Sequence, residues 1–177
     1  YNDEFMQFTE WGSRKKAMGG GLPVVTLPDG MQLGESVPTT IYWGKQMGQY
    51  PRDPAMAHMM ESLLMSYMGV WNAYIGAHQS KDDAKISEAI MNHGPFLDKL
   101  EPMLGKMKFI CGEKLTVVDF WVGASYCDRM TNPHNPNTKT CQTWAMFLKK
   151  YPNFKRYGED FKKENMDWLS KRPARDI

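Results

Sequence analysis

Three cysteines, four histidines, a triple glycine and a serine at an expected helix start are the residues of this 177-residue chain whose types and spacing could do chemistry. Cys111, Cys127 and Cys141 are odd in number and show no CxxC spacing, which argues against a disulfide scaffold or a zinc site and for a reducing compartment. His58, His78, His93 and His134 form no close pair of the kind that ligates a metal. Gly19-Gly20-Gly21 lacks both the GxGxxG spacing and a following Lys-Ser/Thr, so a loop is a better reading than a phosphate cradle. Ser36 precedes a helix-like run and is a good helix cap.

The elements that must position these residues change character midway. Tyr1 to Phe8 reads as a strand, and Ser13 to Met18 as one or two helical turns. Leu22 to Leu27 and Met31 to Leu33 predict a hairpin around Pro28-Asp29-Gly30, with Pro23 at its strand entry. Val37 to Met47 predicts a helix, and Gln49 to Pro54 a linker. Beyond it strand signals vanish. Ala55 to Ala77 places Met56, Met60, Leu64, Tyr67 and Trp71 at helical spacing. Asp82 and Asp83 open a helix expected to run to Leu104 with a bend at Pro95. Thr116 and Asp119 form a capping-box pattern before a buried helix reaching about Met130, and further helices are expected over Cys141–Lys149 and Asn153–Lys163. The fold class is therefore α/β followed by all-α. The expected divisions are 1–48, a linker at 49–54 and a helical domain at 55–177.

Composition narrows the function classes. A net charge of +2 is too small to argue for nucleic acid, and the late basic residues are interleaved with Glu159, Asp160, Glu164 and Asp167 as on a solvated face. No run is long and apolar enough to suggest membrane insertion. Eleven prolines and fifteen glycines do not prevent a core, since 42% of the residues are hydrophobic.

The order of elements resembles the cytosolic glutathione transferases, the sigma class and its neighbours most of all. The motifs that carry the resemblance are Glu10-Trp11 with Lys15, Leu22-Pro23-Val24, Pro28-Asp29-Gly30, Glu35-Ser36, Gly112 through Phe120, and Trp168-Leu169-Ser170-Lys171-Arg172-Pro173. The resemblance implies a partial thioredoxin-like domain followed by a glutathione-transferase-type helical domain. It implies glutathione as co-substrate and no metal. A cis Leu22-Pro23 bond would turn backbone groups toward the cysteinyl part of glutathione. Gly21 stands where several classes carry Gln or Lys. Ser36 would hold the γ-glutamyl carboxylate, Glu35 would lie near its ammonium, and Trp11 and Lys15 would approach the glycyl end.

The same comparison marks departures. The family activates the glutathione thiol with a Tyr, Ser or Cys near the first strand or helix. That βα unit has no counterpart in this sequence, so no catalytic residue is assigned. Tyr1 falls in a strand without an initiator Met, so the natural protein is expected to begin earlier. No acid stands near Ser66-Tyr67-Met68 to serve a partner subunit. The expected activity is conjugation of glutathione to electrophilic small molecules by a cytoplasmic homodimer. The alternative is a non-catalytic structural or interaction subunit of a larger assembly, and lipid-peroxide isomerisation is a third reading. The apolar acceptor would bind in a cleft between the domains. Met60, Leu64 and Met68 are candidate wall residues, with core packing the stronger reading for each.

Overall fold

The computed structural model describes residues 8–15, 21 and 23–171. The chain divides into two compact units, Tyr1–Gly48 and Gln49–Ile177. In the first, helix α1 (Phe8–Arg14) precedes strands β1 (Val25–Thr26) and β2 (Gln32–Leu33), and helix α2 (Ser36–Gln46) follows. The strands pair antiparallel, Val25 with Leu33 and Thr26 with Gln32. Their turn is closed by the Leu27 amide on the Met31 carbonyl at 2.8 Å, and Asp29 accepts the Met31 amide through its side chain at 2.9 Å.

Both strands are shorter than expected. Pro23 and Pro28 flank the first and donate nothing to a ladder, so pairing is confined to the residues between them. A helix covers Phe8–Arg14, with the Ser13 hydroxyl returned to the Glu10 carbonyl at 2.8 Å, and of the helix expected at Ser13 to Met18 residues 16–18 lie outside the described residues. The expected strand at Tyr1 to Phe8 lies outside the described residues except for Phe8, which opens α1.

The second unit is helical. Its elements are α3 (Pro54–Gln79), α4 (Asp83–Met91), α5 (Gly94–Leu104), α6 (Val117–Ser125), α7 (Thr138–Leu148), α8 (Pro152–Glu164) and α9 (Met166–Leu169). Local chemistry sets the starts. Asp53 accepts the Met56 amide at 2.8 Å, Asp82 accepts those of Ala84 and Lys85, and Asn137 accepts that of Thr140. Pro54, Pro95 and Pro152 occupy first turns, where no amide partner is needed. The single bent helix expected across Pro95 is therefore two helices. The first ends at Met91, and the proline sits in the first turn of the next, which begins at Gly94.

The Thr116–Asp119 box is present, closed chiefly by the Asp119 carboxylate, which receives the Thr116 amide and hydroxyl, each at 2.8 Å. The same carboxylate receives the Ile110 amide at 3.0 Å, so it ties the preceding loop to α6. Two glycines then let α6 and α8 approach. A side-chain carbon at Gly123 would collide with the Phe161 ring, and one at Gly158 with the Tyr126 ring. Each helix thus gives up a side chain where the other presents an aromatic face.

Helices α5 and α8 cap one another. Glu101 accepts the Asn153 and Phe154 amides at 2.8 and 2.9 Å, and Arg156 donates to the Leu104 and Met107 carbonyls at 2.6 and 2.9 Å. Each side chain satisfies backbone groups that a helix end leaves without partners. Leu97, Leu100, Val118, Val122, Phe154 and Tyr157 fill the fully buried centre of this unit.

His93 sits in the core with its ring Nδ1 2.9 Å from the Ala89 carbonyl, and burial pushes its pKa down to about 4 from an ordinary 6.5. The folded state therefore takes up its proton later than the unfolded chain. The associated stability is complete above pH 6.5 and is lost as pH falls from there toward 4, amounting to about 3 kcal/mol. Urea denaturation across this range should show that loss, and His93→Gln should flatten it. Gly158→Ala should lower unfolding free energy by about 1–3 kcal/mol, the cost of overpacking against Tyr126. Denaturation at neutral pH checks the direction against Ala's better helix propensity.

Candidate functional site

The entrance to α2 carries the strongest local anomaly of the first unit. Glu35 has φ 63° and ψ 117°, a conformation that costs a side-chain-bearing residue on the order of 1–3 kcal/mol. Thr39 holds it there. Its hydroxyl donates to the Gly34 carbonyl and its amide to the Glu35 carbonyl, both at 3.0 Å, so both peptide units around Glu35 are fixed by one buried residue.

The result is an open helix start. Ser36 is the first helical residue and not the cap expected from sequence. Glu35 occupies the cap position and offers no side-chain hydrogen bond to the helix amides. The third helical residue, Pro38, has no amide hydrogen. The amides of Ser36 and Val37 consequently have no described hydrogen-bond partner. Together with the half-buried Ser36 hydroxyl they form a donor set for a carboxylate, favoured by the positive end of the helix dipole. The acidic Glu35 side chain, exposed beside them, is suited to a neighbouring cation.

The remaining expected residues divide by position. Trp11 is half-buried in α1, and Lys15 is exposed just beyond it, its amide on the Trp11 carbonyl at 2.8 Å. One turn apart, the two share a helix face. Gly21 and Pro23 are exposed, whereas Leu22, and with it the expected cis bond, lies outside the described residues. Tyr1 lies outside them too. Met60 and Leu64 are fully buried in the second unit, and Met68 is half-buried. Sequence reasoning placed Pro38 in the first turn of this helix but missed its consequence for the helix start, and it missed Thr39. Their signal is a proline in the first turn with a threonine directly after it, able to reach back to the residue before the helix.

Burial pushes the Cys111 thiol up to about 11, leaving little thiolate at neutral pH. Among the described residues no three side chains of metal-ligating type come together. No helix among them is long and apolar enough to cross a membrane.

No protein-family model matches the chain. It is 24% identical over 161 residues to S-crystallin SL11 of Nototodarus sloanii, an alignment covering 86% of this chain and 73% of that protein. A monomeric glutathione S-transferase of Necator americanus superposes with a TM-score of 0.83 at 18% identity, over 100% of this chain and 87% of the other. Rat hPGDS complexed with a quinoline gives 0.80 at 17% identity, over 100% and 86%. A Nu-class glutathione S-transferase of Haemonchus contortus gives 0.73 at 19% identity, over 97% and 84%. The chain has the glutathione S-transferase fold, with a partial thioredoxin-like unit before the helical one.

The strained backbone is directly testable. In chemical denaturation Glu35→Gly should exceed Glu35→Val in stability by about 1–2 kcal/mol, because a β-branched residue is least tolerant of positive φ. The reverse order is expected if position 35 is ordinary extended backbone.

Proposed function

We propose that this chain binds glutathione and, as a glutathione transferase, conjugates it to apolar electrophilic small molecules. The observation that carries the reading is the α2 entrance. A strained Glu35 and an uncapped first turn present the Ser36 and Val37 amides beside a hydroxyl and a carboxylate. An α-amino acid end has the complementary pair of charges. The γ-glutamyl carboxylate would lie on Ser36, and its ammonium beside Glu35. Leu22-Pro23 and Gly21 would lie along the cysteinyl backbone, and Trp11 and Lys15 would receive the glycyl end, with Lys15 as its charge partner.

In conjugation the glutathione thiol gives up its proton, the sulfur forms a bond to the electrophilic carbon, and the leaving group departs with its electron pair. The residues named here hold and orient the tripeptide, and no described residue is assigned the thiol-activating role. Likeness to the structurally characterised glutathione transferases supports this reading. A cytoplasmic location suits three cysteines that form no disulfide. We take the functional form to be a homodimer.

Likeness to an S-crystallin favours a second reading, in which the chain is a non-catalytic structural or interaction subunit, with a larger assembly as its setting. Immobilised glutathione and an aryl halide acceptor separate the two. Retention with turnover supports the transferase. Retention without turnover supports the structural subunit. Ser36→Ala should weaken retention about tenfold, the worth of one charge-assisted hydrogen bond, and unchanged retention would remove the γ-glutamyl assignment.

A further inference from the structure

Sulfur is divided unevenly between the surface and the interior of this chain. Met31, Met47, Met65, Met91, Met146 and Met166 are each between 45% and 66% exposed. No leucine, isoleucine or valine among the described residues is exposed to that degree. The three cysteines are free thiols, and all are half-buried. Thioethers face solvent, and thiols are withdrawn from it.

A single exposed apolar residue needs no special cause, but here exposure selects one residue type. Leucine and methionine are close in volume and exchange readily in cores, so packing gives no reason to divide them this way. Chemistry does separate them, because a thioether sulfur is oxidised and a leucine side chain is not. The six positions are spread one to an element. They fall in the hairpin turn, just after α2, on α3, at the end of α4, on α7 and at the start of α9.

Oxidation at these six positions adds an oxygen to a side chain that already stands in water. At Met60, fully buried, or Met130, buried at the end of the α6 region, it would carry a polar group into the core. The class of oxidant follows from what selects the sulfur. Peroxides select thiolates, and burial keeps Cys111 a protonated thiol at neutral pH. A hypohalous acid attacks thioethers and thiols alike, so exposure decides which sulfur it meets first.

We propose that the six exposed methionines form a sacrificial sink for hypohalous acids, consumed before the thiols and the core are reached. At each one the sulfur gives two electrons to the chlorine of hypochlorous acid, which leaves as chloride. The oxygen stays on sulfur as the sulfoxide, and one proton passes to solvent. The role uses no residue of the α2 entrance and does not depend on the glutathione reading.

Titration of the full chain with hypochlorous acid tests it, with sulfoxides located by peptide mass mapping, free thiols counted and helicity followed by circular dichroism. The six should take up oxygen first, while Met60, Met130, the thiol count and the ellipticity stay unchanged. A variant with all six replaced by leucine keeps the apolar surface and removes the sulfur. It should lose its thiols at a severalfold lower dose than the parent. Thiol loss at the same dose in both chains overturns the proposal, as does oxidation of Met60 and Met130 in step with the six. If the sixfold variant does not fold, the order of uptake in the parent decides alone, and thiol loss ahead of the six overturns the proposal.

Discussion

The buried carboxylate of Asp119 is the constraint from which the helical unit is organised. The residue is fully shielded from solvent, and burial alone would push its pKa up and penalise the charge. Donors from Ile110 and Thr116 supply the compensation, and they come from the loop before α6 as well as from its first turn. The loop itself is closed by reciprocal backbone bonds between Phe109 and Gly112. Loop and helix are therefore one object. Removing the carboxylate would leave two inward-facing amides and a hydroxyl without acceptors, a larger loss than one hydrogen bond.

Once α6 is fixed, its contacts with α8 follow from shape. Gly123 and Gly158 receive the Phe161 and Tyr126 rings, so sliding or rotating either helix would drive a ring into backbone. The Tyr126 hydroxyl then reaches Glu159 at 2.7 Å, and the Tyr157 hydroxyl donates to the Asp119 carbonyl at 3.4 Å. Helix α8 is also bound to α5 by the exchange of Glu101 and Arg156. Two specific devices, one steric and one polar, act on the same helix. This explains how a chain rich in adaptable methionine keeps one packing arrangement.

What was legible in the sequence was chemistry acting within a few residues. Thr116 and Asp119 are three apart, Asp82 stands directly before its helix, and the hairpin turn lies between two short β-branched or apolar runs. The fold class and its likeness to glutathione transferases rest on such signals in order. Less legible were features set by partners distant in the chain. Pro95 reads as a bend in one helix, whereas the break before it goes with the burial of His93 in the core. The reciprocal capping by Glu101 and Arg156 spans more than fifty residues and leaves no local pattern. Ser36 has the composition of a cap, but Thr39 draws the preceding carbonyls round and makes it the first helical residue. The π-turn that follows α6, over Tyr126–Met130, has no compositional mark.

The α2 entrance and the Asp119 junction store their cost differently, and the difference follows from their surroundings. Around Glu35 the side chains are largely exposed, so unpaired polar groups there are hydrated cheaply. The cost is conformational, fixed in a single backbone angle by Thr39. At Asp119 the cost lies in burying a carboxylate, and the Ile110 and Thr116 donors offset it. Backbone strain can be imposed by one clamp on a short connection. A buried charge persists only where its donors are held in place, and the Asp119 junction draws them from one loop and one helix turn that it joins into a single object.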